Sequence, residues 1–339
     1  MEKETRNIQL SDLSKYRGAL MGVAMLIIIL FHMPISRNSD WFGLARCGNV
    51  GVDMFLFLSG IGLWYAWTKN PSFRNFYWRR YIRIYPTWLI IASIFYINNY
   101  LTVKGGGYSP NIFHLIANIL VNWSFWRIDD LTFWFIPSIM MMYTFAPLYM
   151  KLIQKHPVWR WMPLIALLWY ALIRYYTPLW QAVGHVEIFW SRIAVFLLGI
   201  NCGVWVKEKR SFETSGWGIV AITFILSLWL CVFIESTRRG SFPPLAERYA
   251  YILLSISGML LLCALFRHLP SWCLRIFTFI GGISLELYLV HIEFVLKFIK
   301  VYHLGYWLTT LSVLAISIPL AWLLSKLVDI LVKRLPKQI

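Results

Sequence analysis

Ten stretches of this chain, near 18–34, 48–68, 86–102, 132–152, 159–177, 187–206, 216–235, 249–267, 276–297 and 305–332, are apolar. Each runs for about 17 to 28 residues, enough to cross about 30 Å of hydrocarbon as a helix. In lipid every backbone polar group must be bonded within its own segment or a closed barrel, so apolar runs of this length fold as helices. Composition agrees: 59% of residues are hydrophobic and 14% charged, and a soluble core would have to hide 19 Trp, 23 Phe and 18 Tyr. The sequence predicts an all-α, polytopic integral membrane helix bundle of about ten transmembrane helices in a single domain over residues 1–339, with no appended soluble domain.

Lys and Arg placement orients it. With the polar segment 1–16 in the cytoplasm, 21 of the 32 basic residues fall on the cytoplasmic side and 11 opposite, and ten spans put both termini in the cytoplasm. The net charge of +17 belongs to this asymmetry and to anionic lipid, since no basic patch sits in a foldable soluble domain and no nucleic-acid partner is expected. Cys47, Cys202, Cys231, Cys263 and Cys273 are odd in number and scattered, giving neither a disulfide framework nor a metal-binding pattern. The first apolar stretch ends in Phe-His-Met-Pro and not in a small-residue cleavage site, which argues against a removable signal peptide.

Ionisable residues inside such spans cost several kcal/mol when exposed to lipid, and so mark an interior or an aqueous cavity. The first two spans carry one each, His32 and Asp53. The second leads into SFRNFYWRRYIRIYP, a cytoplasmic segment read as a loop, where Arg74, Arg79, Arg80 and Arg83 alternate with aromatic rings. The guanidinium fork makes paired, charge-assisted hydrogen bonds to phosphate, so Arg79, Arg80 and Arg83 suit a phosphorylated ligand. Asp129 and Asp130 stand just before Trp134, which has a ring on which a sugar can stack. In the ninth span Glu286 and His291 are five residues apart, about 140° around an α-helix, and so do not share a face.

Several blocks together resemble the acyltransferase-3 family of membrane proteins. They are the His closing the first span (His32), GVDMFLFLSG at 51–60, and Arg80, Arg83 and Pro86 in the RxxRIYP run. LTFWFIPSIMMMYTFAPLY (131–149), SRIAVFLLGINCG (191–203) and GGISLELYLVHIE (281–293) follow in the family's order. The family often has an Arg with ten residues between it and the His. Met21 holds that position here, and Arg17, one turn earlier, is the nearest basic residue.

The resemblance implies transfer of an acyl group, usually acetyl, from acetyl-CoA on the cytoplasmic side to a hydroxyl of a cell-surface carbohydrate or glycolipid, in a bacterial inner membrane and without a metal. His32, with an unperturbed pKa near 6.5, is then the catalytic base or an acylated nucleophile, and Asp53 its expected dyad partner. Arg79, Arg80, Arg83, Arg17, Ser59 and Gly60 are donor-binding candidates, and Trp134, Glu286 and His291 acceptor-binding ones. A glycan exporter or flippase, or a scaffold of an envelope complex, stands as the alternative.

Overall fold

The computed structural model of the protein describes residues 7–103, 105, 107–128, 130–237 and 242–334. Gly106, expected on the outside, and Asp129 lie outside the described residues. The principal helices are α1 (Arg17–His32), α2 (Val50–Lys69), α3 (Phe73–Thr102), α4 (Ile112–Val121), α5 (Phe135–Lys155) and α6 (Met162–Tyr175). They continue as α7 (Glu187–Lys207), α8 (Gly216–Ser236), α9 (Pro244–Phe266), α10 (Ser271–Gly282), α11 (Ser284–Val290) and α12 (Gly305–Lys333). A two-stranded sheet, Ile8–Gln9 antiparallel to Ser211–Phe212, ties the N-terminal segment to the turn after α7.

Each of the ten apolar intervals falls on one of these helices or on the pair α10–α11, but among the described residues six helices are long and apolar enough to cross a membrane. They are α2 with the turns leading into it, α5, α7 with the turns leading into it, α8, α9 and α12. The others fall short for physical reasons. Helix α1 has 16 residues and α6 has 14, while α3 has 30 but carries Arg74, Arg79, Arg80 and Arg83 in its N-terminal part. The expected ninth span is broken: α10 and α11 meet at 59° around Ile283, and a π-helical turn follows at His291–Leu296. Counting the bent pair as one crossing gives seven, where the sequence suggested ten.

The arginine segment read as a cytoplasmic loop is helical. Ser72 caps α3 by accepting from the Asn75 amide, and the helix then runs through Pro86 to Thr102 without interruption. Arg80 and Arg83 therefore lie one turn apart on a rigid rod. The apolar run after Tyr108, too short to cross, becomes α4 and a further turn of helix at Trp123–Ile128, separated by Asn122 in the left-handed conformation.

Helix α2 is the axis of the bundle, buried on nearly every side and packed against α7 and α1. The contact with α7 depends on two glycines facing each other. A Cβ on Gly60 would stand 2.5 Å from the Phe196 carbonyl oxygen and 2.8 Å from the Gly199 carbonyl carbon, and one on Gly199 would strike the Phe57 carbonyl. Without a hydrophobic drive between helices in lipid, such backbone approach is the main source of association. Gly60, expected to bind the donor, is thus a helix-packing residue. Helix α8, by contrast, is largely exposed.

Gly60→Val should destabilise the α2–α7 contact by about 1–3 kcal/mol or more. Gly218→Val, at a glycine with open space around it, should be neutral. Thermal unfolding in detergent, monitored by the fluorescence of the monodisperse protein, compares the two; equal melting temperatures would remove the glycine contact from the account.

Candidate active site

A cleft runs along the inner face of α1. At one end it is lined by Arg17, Ser59, Arg80, Arg83 and Tyr143, and at the other by Ile28, Val52, Phe135 and Tyr288. Because α1 and α2 run in opposite directions, Arg17 lies level with Ser59, and Ile28 with Val52. Eleven residues of α1 separate Arg17 from Ile28, about 16 Å of helical rise. The cleft and its open mouth together hold about 780 Å³ of empty space. At the arginine end it opens into a recess between α1, α2 and α10, bounded by Ser14, Gly18, Gly62, Tyr65 and Gly282.

Three cations converge on that end. Arg17 donates through Nε to the Leu58 carbonyl at 3.3 Å and lies flat against Gly62, where a Cβ would meet the guanidinium at 3.2 Å. Met21, one turn on, lines the same cleft, so an arginine at either position reaches one space. Arg80 is half-buried beside the Phe76 ring, with its Nε buried and unpartnered, and Arg83 is exposed at the mouth. The three guanidiniums repel one another, and among the described residues none forms an ion pair with a carboxylate. Arg79 is exposed and does not line the cleft.

At the far end, one turn beyond Ile28, His32 meets His291. His32 Nδ1 is 2.8 Å from the Ile28 carbonyl and 3.3 Å from His291 Nε2, and His291 Nδ1 is 3.0 and 2.8 Å from the Leu287 and Tyr288 carbonyls. Carbonyls only accept, so with both rings neutral each Nδ1 carries the proton. His291 Nε2 then accepts from His32, and His32 Nε2 is left with its lone pair. The Ile28 carbonyl fixes the tautomer of His32, and His291, sharing the same proton, helps to hold the orientation of the ring, as the third member of a catalytic triad does.

That task was assigned to Asp53, and the structure gives Asp53 another. Its carboxylate, fully buried, lies 2.5 Å from Arg192 Nη1 and 3.5 Å from Arg248 Nη1, and Arg192 also donates to Asn49 Oδ1 at 2.8 Å. The expected His32–Asp53 pair is not formed, because the carboxylate is taken by two guanidiniums from α7 and α9. Glu286 is also removed from the cleft: it is buried and accepts from Thr87 Oγ1 at 3.3 Å. Trp134 packs edge-on against Phe135 and lies behind the lining, while Asp130 accepts from the Thr132 amide. Arg17, Ser59, Arg80 and Arg83 are therefore brought together, as are His32 and His291; Asp53, Gly60, Arg79, Trp134 and Glu286 stand apart from the cleft.

The cation-lined cleft thus runs along the inside of an apolar bundle and ends one helical turn short of a histidine pair. The family model of the acyltransferase domain, type 3, matches residues 19–326. The chain belongs to the acyltransferase-3 family. No curated protein and no solved structure matches it. The matched residues take in α1 from Ala19, every helix from α2 to α11 and most of α12, and Arg17 stands two residues before them. An acyltransferase-3 chain of this build is a multi-pass membrane protein.

Removing the Asp53 carboxylate leaves the buried Arg192 guanidinium without its counter-charge and Arg248 with Glu247 alone, a loss of about 3–5 kcal/mol for a broken buried pair. Asp53→Ala should accordingly lose most of its folded, monodisperse protein on detergent size exclusion. A variant as stable as the wild type but catalytically dead would return Asp53 to the chemistry.

Proposed function

We propose that the protein is a membrane O-acyltransferase that takes an acyl group, acetyl in the simplest case, from acyl-CoA and transfers it to a hydroxyl of a cell-surface carbohydrate or glycolipid. The observation that carries this reading is the convergence of three guanidiniums, none in an ion pair with a carboxylate among the described residues, at one end of the cleft, while its far end at Ile28 and Tyr288 stops one helical turn short of the paired His32 and His291. Partly buried cations in an apolar bundle call for counter-charge, and the phosphates of coenzyme A supply it. With the nucleotide at Arg17, Arg80 and Arg83, the pantetheine arm follows the cleft past Phe55 and Ile139 and carries the thioester toward Ile28 and Tyr288.

His32 Nε2 then takes the proton of the acceptor hydroxyl as its oxygen attacks the thioester carbon. The tetrahedral oxyanion collapses, the carbon–sulfur bond breaks, and the departing thiolate recovers a proton from the imidazolium. His291, holding the Nδ1–H of His32, keeps the lone pair of Nε2 aimed at the reacting hydroxyl through both steps. We place the arginine end on the cytoplasmic side, where acyl-CoA is made, and the histidine end toward the outside of a bacterial inner membrane. Ser59 faces the cleft and contributes a hydroxyl near the pyrophosphate end.

The reading separates donor affinity from turnover. Arg80→Ala and Arg83→Ala each remove charge-assisted hydrogen bonds of roughly 1.5 to 3 kcal/mol, about ten- to a hundredfold in affinity for acetyl-CoA by calorimetry. His32→Ala should bind acetyl-CoA as the wild type does while turnover falls about a hundredfold or more. Protein reconstituted in lipid with labelled acetyl-CoA and candidate glycans provides the assay. Wild-type turnover in His32→Ala, or unaltered donor binding in both arginine variants, would refute the assignment. In the same assay Arg17→Ala should lose activity and regain part of it when combined with Met21→Arg.

A further inference from the structure

The cleft contains a polar group that the proton-transfer account leaves unused. Tyr288 lines its far end, one helical turn before His291, with its ring centroid 6.0 Å from the imidazole. The backbone amide of Phe135, the first residue of α5, donates to the phenol oxygen at 3.3 Å. A phenol offers one donor and two acceptor sites, and one acceptor site is occupied by that amide. Among the described residues its proton has no acceptor. A hydroxyl that accepts from the N-terminus of a 21-residue helix is polarised by the positive end of the helix dipole, which makes it a stronger donor in turn.

Tyr288 is well placed for what the reaction requires and His32 does not supply. As the acceptor oxygen attacks, the thioester carbonyl oxygen becomes an oxyanion, and a base that has just become a cation cannot also donate to it from the attacking side without a second geometry. We propose that the Tyr288 hydroxyl donates to the developing oxyanion, with the Phe135 amide behind it as the fixed dipole that sharpens the donor. No bond to Tyr288 forms or breaks; its proton stays on the phenol oxygen and shortens its hydrogen bond to the thioester oxygen as charge accumulates there. Three supports hold the ring at the required position. Its edge packs on Phe135 with centroids 5.5 Å apart, its backbone carbonyl accepts from His291 Nδ1, and the bend at Ile283 turns α11 so that Leu285 and Tyr288 face the cleft together. The donor thus sits on the same turn of helix as the histidine that orients the base, so base and oxyanion donor keep a fixed relation.

This inference deepens the reading of the cleft as an acyl-CoA site and rests on it, so the test uses two donor analogues and needs no acceptor. One is the thioether S-ethyl-CoA, which presents no carbonyl. The other is a trifluoromethyl ketone analogue of acetyl-CoA, whose hydrate presents oxygens on a tetrahedral carbon. Wild type in lipid nanodiscs should prefer the ketone, and Tyr288→Phe, which keeps the ring, should lower that preference about ten- to a hundredfold while S-ethyl-CoA binds as before. Arg83→Ala should weaken both analogues alike and leave the preference intact. Incorporation of 3-fluorotyrosine at position 288, a stronger donor of nearly the same shape, should raise the preference, a response that a packing role would not produce. An unchanged preference in Tyr288→Phe, or equal loss of both analogues, would overturn the oxyanion role. Failure of either analogue to bind the wild type would instead overturn the donor-site reading beneath it.

Discussion

Charge inside an apolar bundle must be matched, and this protein handles its charges in two ways that divide structure from chemistry. Asp53 is matched within the chain by Arg192 and Arg248, which fasten α2, α7 and α9 together where no water reaches. The mutual attraction of such ions only roughly offsets their desolvation, so the cluster is better understood as a registry device than as a source of net stability. Among the described residues Arg17, Arg80 and Arg83 form no ion pair with a carboxylate, the buried Glu286 acting on Arg83 only at longer range, and they lie on a cleft that is open to one side. The first arrangement is complete without a ligand.

The two arrangements share helix α2. Its Asp53 faces α7 and α9, whereas Val52, Phe55 and Ser59 on the same helix line the cleft. The glycine contact with α7 brings that helix close enough for Arg192 to reach Asp53. On the other side, a Cβ on Gly22 or Gly281 would collide with the backbone of the facing helix, so α1 and α10 are also in backbone contact, with Arg17 at the edge of their interface. Small residues thus set the width of the cleft, and the long guanidinium stems fill what remains. An arginine at 17 reaches the space beside Met21 because the side chain is long and Gly62 leaves room for it.

The helical plan was legible because apolar length is a one-dimensional property, and each interval landed on a helix. The count of crossings was not, since the arginine segment joins the apolar run after it as one helix, α3, and α10–α11 breaks at Ile283, a bend that leaves no dip in a hydropathy window. Among site residues, Arg17, Arg80 and Arg83 share the lining of one cleft, whereas Arg79 does not reach it. The partner of His32 was not legible: His291 lies 259 positions away, and only tertiary packing brings the two rings together. Asp53 was misassigned for the opposite reason, because Arg192 and Arg248 were overlooked. Both stand in or beside apolar runs, SRIAVFLL and ERYAYILL, where an ionisable residue is itself a signal that a partner must exist. Tyr288 carried a weaker sign, a tyrosine one turn before a histidine on a helix already flagged.

The break in the ninth apolar stretch gives the site its geometry. A straight α-helix through 276–297 would run as a plain packing element beside α1. The bend at Ile283 redirects the chain, and from His291 the helix loosens into a π turn at the point where the imidazole bonds to the carbonyls of Leu287 and Tyr288. A side chain inserted into the carbonyl ladder is one of the recognised causes of such loosening, and single π turns recur at functional positions. The same imidazole therefore deforms its own helix, helps to hold the orientation of His32 through Nε2, and holds the turn that presents Tyr288. Replacing His291 with an apolar residue of similar volume would restore the regular ladder, and with it a helix that points neither the base nor the phenol at the end of the cleft.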